Sequence, residues 1–83
     1  MYYVDKVEIY STAVCNYCNM AKRVFKQKEW QYEEKFLDKE PALREELQQR
    51  LGESPRTVPQ IFINNEYVGG YDKLVEWIDN HQI

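Results

Sequence analysis

Val7-Glu8-Ile9-Tyr10-Ser11-Thr12-Ala13-Val14-Cys15-Asn16-Tyr17-Cys18 joins an alternating apolar and polar run to two thiols three residues apart. The alternation over Val7–Tyr10 is that of a strand. From Asn16 to Lys28 there is no Gly or Pro, and Ala21, Val24 and Phe25 recur at helical spacing, so this stretch reads as a helix with an apolar core stripe. A helix that starts at the thiols puts Cys15 at its N-terminal tip, where backbone N–H groups and the positive end of the dipole favour a thiolate. Cys18 then sits about one turn further in, within reach of a mixed disulfide formed on Cys15. That is the geometry of a dithiol redox site. A CxxC pair alone also fits half of a zinc site or an accidental pairing.

The rest of the chain continues the strand and helix alternation. Gln31 to Leu37, with Tyr32, Phe36 and Leu37, reads as a second strand, and Glu40-Pro41 opens a helix, since proline is tolerated in a first turn. Leu43, Leu47 and Leu51 repeat along it, and Gly52 closes it as a C-cap. Two strands joined through a helix form a βαβ unit with parallel strands and a right-handed crossover. After a turn from Gly52 to Arg56, Gln60-Ile61-Phe62-Ile63 is a strand buried on both faces. Asn64-Asn65 suits a two-residue hairpin turn, and Glu66-Tyr67-Val68 returns as far as Gly69-Gly70. Tyr71, Leu74, Val75 and Ile78 mark the inner face of a last helix running to about Asn80. The expected order is β-α-β-α-β-β-α, an α/β fold with a four-stranded mixed sheet flanked by three helices. Residues 1–83 make one domain, without repeats or linkers.

Bulk composition narrows the function. Eighty-three residues give a core near the lower limit of self-sufficiency, and two cysteines are too few for a disulfide scaffold. A bond between Cys15 and Cys18 would close too short a loop to restrain the unfolded chain much, so it serves chemistry. Net charge −3 argues against nucleic acid as the main partner. The stretch Met1-Tyr2-Tyr3-Val4-Asp5 lacks a basic lead and an apolar run, and no segment reaches membrane-spanning length, so a cytoplasmic location is expected. Lys22, Arg23, Lys26 and Lys28 crowd the first helix; of these, Lys22 and Arg23 are candidates for a basic rim that draws an anionic thiol toward Cys15. A structural zinc site is not expected, because one CxxC and the distant His81 do not supply four ligands. His81 reads as a surface residue.

Three blocks carry a family resemblance: Cys15-Asn16-Tyr17-Cys18, Thr57-Val58-Pro59-Gln60-Ile61-Phe62-Ile63 and Gly69-Gly70-Tyr71-Asp72. In order and spacing they resemble the signature blocks of the dithiol glutaredoxins, and Gln48-Gln49-Arg50-Leu51-Gly52 is similar to the compact bacterial members. The resemblance implies a thioredoxin-like fold and a glutathione-dependent thiol-disulfide oxidoreductase that reduces protein disulfides and glutathione mixed disulfides. It implies Cys15 as nucleophile, Cys18 as resolving thiol, and glutathione as co-substrate with no resident metal. It also implies a cis Val58-Pro59 bond, although Pro59 by itself equally fits the start of a strand. Glutathione would lie against Tyr17, Thr57, Val58 and Pro59, with Gly70, Tyr71 and Asp72 holding its γ-glutamyl carboxylate. Arg44 would reach the glycyl carboxylate, with Arg56 a weaker candidate for the same end. Asp72 also fits an ordinary helix cap.

Three positions depart from the family pattern. Thr12 stands where a basic residue is common, Lys73 stands where an acid is common with Asp72 one place earlier, and Asn16 replaces the usual proline between the cysteines. The family further implies disulfide or glutathionylated protein partners, ribonucleotide reductase among them, and a monomer without nucleic-acid or membrane partners. Two alternatives stay open: a carrier reduced by thioredoxin reductase, toward which Thr12 leans, and a glutathione-assisted iron–sulfur dimer, which Asn16 permits.

Overall fold

The computed structural model describes residues 3–83. Met1 and Tyr2, part of the stretch read above for a leader, lie outside the described residues. In chain order the elements are β1 (Val7–Ser11), α1 (Asn16–Gln27), β2 (Glu33–Phe36), α2 (Pro41–Leu51), β3 (Gln60–Ile63), β4 (Glu66–Gly69) and α3 (Tyr71–His81). The sheet order is β2-β1-β3-β4. β1 pairs parallel with β2, Glu8 opposite Glu33, and antiparallel with β3, Val7 opposite Ile63 and Tyr10 opposite Gln60. This is the thioredoxin-like arrangement expected from the order of elements. Among the described residues no helix is long and apolar enough to cross a membrane.

Local chemistry accounts for the boundaries. Asn64 and Asn65 take φ values of 53° and 66°, both in the left-handed region that a two-residue hairpin requires. Gly52 caps α2 in the left-handed conformation, its N–H donating to the Gln48 carbonyl. β2 is shorter than the expected Gln31–Leu37. At its start Trp30 N–H is drawn back to the Phe25 carbonyl; at its end Lys39 and Glu40 N–H both turn onto the Phe36 carbonyl. The Asn64 side chain also fastens the N-terminal segment, accepting from Asp5 and Lys6 N–H at 2.8 and 3.0 Å and donating to the Tyr3 carbonyl at 2.7 Å.

Helices cover both sides of the sheet, and the two sides differ in chemistry. One side gathers Val7, Ile9, Cys18, Ala21, Phe25, Ile61, Ile63, Leu74 and Trp77 from β1, β3, α1 and α3. The other packs Tyr10, Leu37, Leu47 and Phe62 beneath α2, with Leu43 and Leu51 at the margin. Val75 was expected on the inner face of α3, yet it is 47 % exposed and Trp77 is buried instead. The stripe Tyr71, Leu74, Trp77/Ile78 keeps to one side of the helix, and Val75 lies about 100° around from Leu74.

Because both faces are covered, the alternation in β1 does not separate core from solvent. Glu8 is only 2 % exposed. Arg50 of α2 forks onto its two carboxylate oxygens at 2.9 and 3.1 Å, and Lys35 of β2 reaches it at 3.0 Å. Lys35 also pairs with Glu46 at 3.0 Å, and the Tyr10 hydroxyl donates to Glu46. The Arg50 guanidinium lies 3.7 Å over the Phe62 ring. Burial pushes the Glu8 carboxyl up, but the hydrogen bonds and charges of Arg50 and Lys35 outweigh it and hold the group below its ordinary range. A buried bidentate ion pair thus ties α2 to the middle of the sheet.

Candidate functional site

Cys15 is the N-cap of α1, with extended backbone, and its Sγ accepts the Cys18 N–H at 3.1 Å. The helix therefore presents its N-terminal N–H groups to the sulfur that was expected to be the nucleophile. Cys18 is 1 % exposed and faces the apolar side of the sheet, whereas Cys15 is only partly covered. The two are joined as a disulfide with their Cα atoms 5.2 Å apart.

The link between β1 and α1 is tethered from outside. Asp38 accepts the Ala13 N–H at 3.0 Å, and the Ser11 hydroxyl donates to Glu34 at 2.7 Å. Glu34 in turn takes Lys22 at 2.9 Å. Lys22 is therefore committed to an ion pair on β2, which removes it from the expected basic rim; Arg23 stays exposed. His81 is partly exposed at the end of α3, its ring stacked on Trp77 with centroids 4.0 Å apart.

A groove of about 390 Å³ opens beside the thiols, lined by Tyr17, Thr57, Val58, Pro59, Gly70, Tyr71, Asp72 and Lys73. Seven of these were named from the sequence; Lys73 had been noted only as a departure from the family pattern. Val58-Pro59 is cis. The rings of Tyr17 and Tyr71 face each other across the groove with centroids 6.2 Å apart. Gly69 has φ +123°, and a Cβ there would stand 2.9 Å from Cβ and Cγ of Lys73, so the turn into α3 has no room for a side chain. Gly70 is the N-cap of α3. Asp72 is thus a first-turn acid and not the cap, which corrects the alternative reading above. The first turn of α3 directs its N–H groups toward the groove's end, where an anion is favoured.

Arg44 lines a second cavity, of about 180 Å³, together with Thr12, Leu37, Pro55, Arg56, Thr57 and Val58. The two cavities share Thr57 and Val58, so a long ligand laid along that loop can meet helix N–H groups at one end and guanidinium at the other. Sequence reasoning missed the residues that hold the loops: Asp38 on Ala13, Glu34 on Ser11, and Gln60 on Thr57. Gln60 had left a signal, as a polar residue opening an otherwise apolar strand.

The glutaredoxin family model matches residues 7–68. Glutaredoxin 3 of Escherichia coli K12 is 43 % identical over 68 residues, covering 82 % of this chain and 80 % of the relative. Glutaredoxin 1 of the same strain is 32 % identical over 75 residues, 84 % of this chain and 88 % of the relative. Among solved structures, glutaredoxin 1 of Francisella tularensis superposes with a TM-score of 0.75 at 31 % identity, covering 93 % of this chain and 95 % of that one. The buckwheat glutaredoxin–glutathione complex superposes with a TM-score of 0.77 at 32 % identity, covering 92 % of this chain and 70 % of that one. With the helix-capping Cys15, its shielded partner Cys18 and the groove loop Thr57–Pro59 all inside the matched residues 7–68, this chain belongs to the glutaredoxin family.

Proposed function

We propose that the protein is a glutathione-dependent dithiol oxidoreductase in which Cys15 attacks and Cys18 resolves. The observation that carries this reading is the asymmetry of the pair: Cys15 caps α1 two residues before Tyr17 of the groove wall and is partly exposed, while Cys18 is 1 % exposed one turn deeper. A structural relative solved as a glutathione complex supports glutathione as the ligand. Its cysteinyl backbone would run along Val58, its γ-glutamyl carboxylate would meet the first turn of α3 at Tyr71 and Asp72, and its glycyl carboxylate would extend toward Arg44 and Arg56. Tyr17 closes one wall, and Lys73 adds positive charge at the α3 end.

With a glutathionylated protein, the Cys15 thiolate attacks the glutathione sulfur, and the protein thiolate leaves and takes a proton. A second glutathione thiolate then attacks the same glutathione sulfur, releasing glutathione disulfide and restoring the Cys15 thiolate. With a protein disulfide, Cys15 forms the mixed disulfide, and Cys18 gives up its proton and attacks the Cys15 sulfur. The reduced substrate is released, and Cys15–Cys18 is left oxidised for two glutathiones to reduce. Substrates are disulfide and glutathionylated proteins, ribonucleotide reductase included, met by a single-domain monomer in the cytoplasm.

Cys15→Ser should abolish turnover in a glutathione-coupled assay. Cys18→Ser should keep deglutathionylation and lose reduction of protein disulfides. Full activity in Cys15→Ser refutes the assignment, and reduction of the oxidised protein by thioredoxin reductase but not by glutathione refutes the electron source.

A further inference from the structure

The turn from Gly52 to Pro59 contains no helix or strand, yet it supplies Thr57, Val58 and Pro59 to the groove. Beneath it lies a chain of hydrogen bonds that belongs to neither the thiols nor the groove lining. Gln60, 6 % exposed, donates from Nε2 to the Thr57 carbonyl at 2.9 Å and to the Thr57 hydroxyl at 3.3 Å. The Tyr67 hydroxyl, from β4, donates to Gln60 Oε1 at 2.6 Å. The polarity of this chain is fixed. A carbonyl only accepts, so the amide nitrogen must face Thr57, the amide oxygen must face Tyr67, and the phenol must donate.

We propose that Gln60, oriented by Tyr67, is a positioning residue that sets where the Thr57-Val58 backbone meets the glutathionyl group, and so governs KM for glutathione mixed disulfides. The proposal rests on the glutathione reading of the groove. Burial, together with the Glu53 charge, pushes the Tyr67 phenol up, which keeps it a donor at neutral pH. Arg50, Glu53 and Arg56 line the cavity of about 220 Å³ that Gln60 and Tyr67 share, and Tyr10 lies opposite Gln60 on β1. A carboxylate placed at position 60 would thus face the acceptor-only carbonyl of Thr57, a donor in Tyr67 and charges of both signs nearby.

Gln60→Glu changes one amide to a group of nearly the same shape that cannot donate while ionised. At mildly alkaline pH it should raise KM for a glutathionylated peptide by about tenfold, and Tyr67→Phe, which removes a single oxygen, by about threefold. In both variants kcat and the alkylation rate of Cys15 should stay at wild-type values, and the backbone amide NMR shifts of Thr57 and Val58 should move while those of β1 do not. The Gln60→Glu penalty should shrink as pH falls, because the protonated carboxyl again donates to Thr57. Unchanged KM in both variants overturns the proposal. So do shift changes as large across β1 as at Thr57 and Val58, which would mark a purely structural role. If wild-type protein turns over no glutathione mixed disulfide, the function proposed above fails instead, and the Thr57 and Val58 shifts alone then decide whether the brace exists.

Discussion

Replacing Arg50 by Met keeps an apolar stem over Phe62 and removes the fork from Glu8. The carboxylate it leaves is 2 % exposed and retains Lys35 at 3.0 Å and the more distant Lys6 at 4.0 Å. Stripping one partner from a buried pair costs about 3–5 kcal/mol, and the surviving Lys35 contact puts this case near the lower end, about 3 kcal/mol. For a domain of this size each kcal/mol lowers Tm by roughly 4–8 °C, so a fall on the order of 15–20 °C is expected. Urea unfolding should give the same loss as a lower midpoint with an unchanged slope. The difference must also depend on pH. In wild type the Glu8 and Glu46 carboxyls sit below their ordinary range. Their contribution is therefore complete above the unfolded carboxylate value and lost as pH falls through the lower folded values. Without Arg50 its share of the lowering is lost, so the folded Glu8 value rises from its wild-type position and the variant loses less in acid than wild type. The gap between the two should narrow in acid and stay flat through neutral pH. The double variant Glu8→Gln/Arg50→Met should recover at least half of the loss. A cost under about 1 kcal/mol that does not change in acid would show that Glu8 is solvated and the reasoning wrong.

Gly69→Ala should destabilise the protein by about 1–3 kcal/mol, because it forces a side chain into positive φ and against the Lys73 stem; thermal unfolding reads this directly. Asn64→Ala loses three hydrogen bonds to the Tyr3–Lys6 segment and a residue suited to φ 53°. It should cost roughly 1–2 kcal/mol and speed amide exchange at Asp5 and Lys6 more than in α1.

Local chemistry made most of the fold legible. Asn64-Asn65 announced a tight hairpin, Gly52 a helix end, and the continuous apolar run Ile61-Phe62-Ile63 a strand covered on both faces. The groove was legible for a different reason: its residues fall in three short blocks, and the fold brings those blocks to one end of the sheet. What stayed hidden depends on pairing between distant elements. Glu8 alternates with Val7 and Ile9 as a solvent-facing residue would, and only Arg50, forty-two positions away, shows why it is buried. Lys22 looked available to an incoming thiol because Glu34 belongs to another element. Val75 was misplaced for want of the exact phase of α3, which the bulk of Trp77 sets.

The two faces of the sheet also suit the proposed roles, in which one sulfur attacks while its neighbour waits. The side that receives Cys18 has a core of apolar residues, and at 1 % exposure its sulfur is shielded from solvent there. Cys15, at the cap of α1, is offered helix N–H groups that favour the ionised form. This contrast requires that the charges within β1 point the other way, beneath α2. A slip of β1 by one residue would exchange its faces. It would bring Glu8 or Tyr10 into the cluster around Cys18 and turn Val7 and Ile9 toward Arg50, leaving a guanidinium without its carboxylate. The bidentate Arg50–Glu8 pair penalises that slip heavily. A contact remote from the groove thereby fixes the register that keeps Cys18 in an uncharged setting, and the division of roles proposed for the two cysteines rests on it.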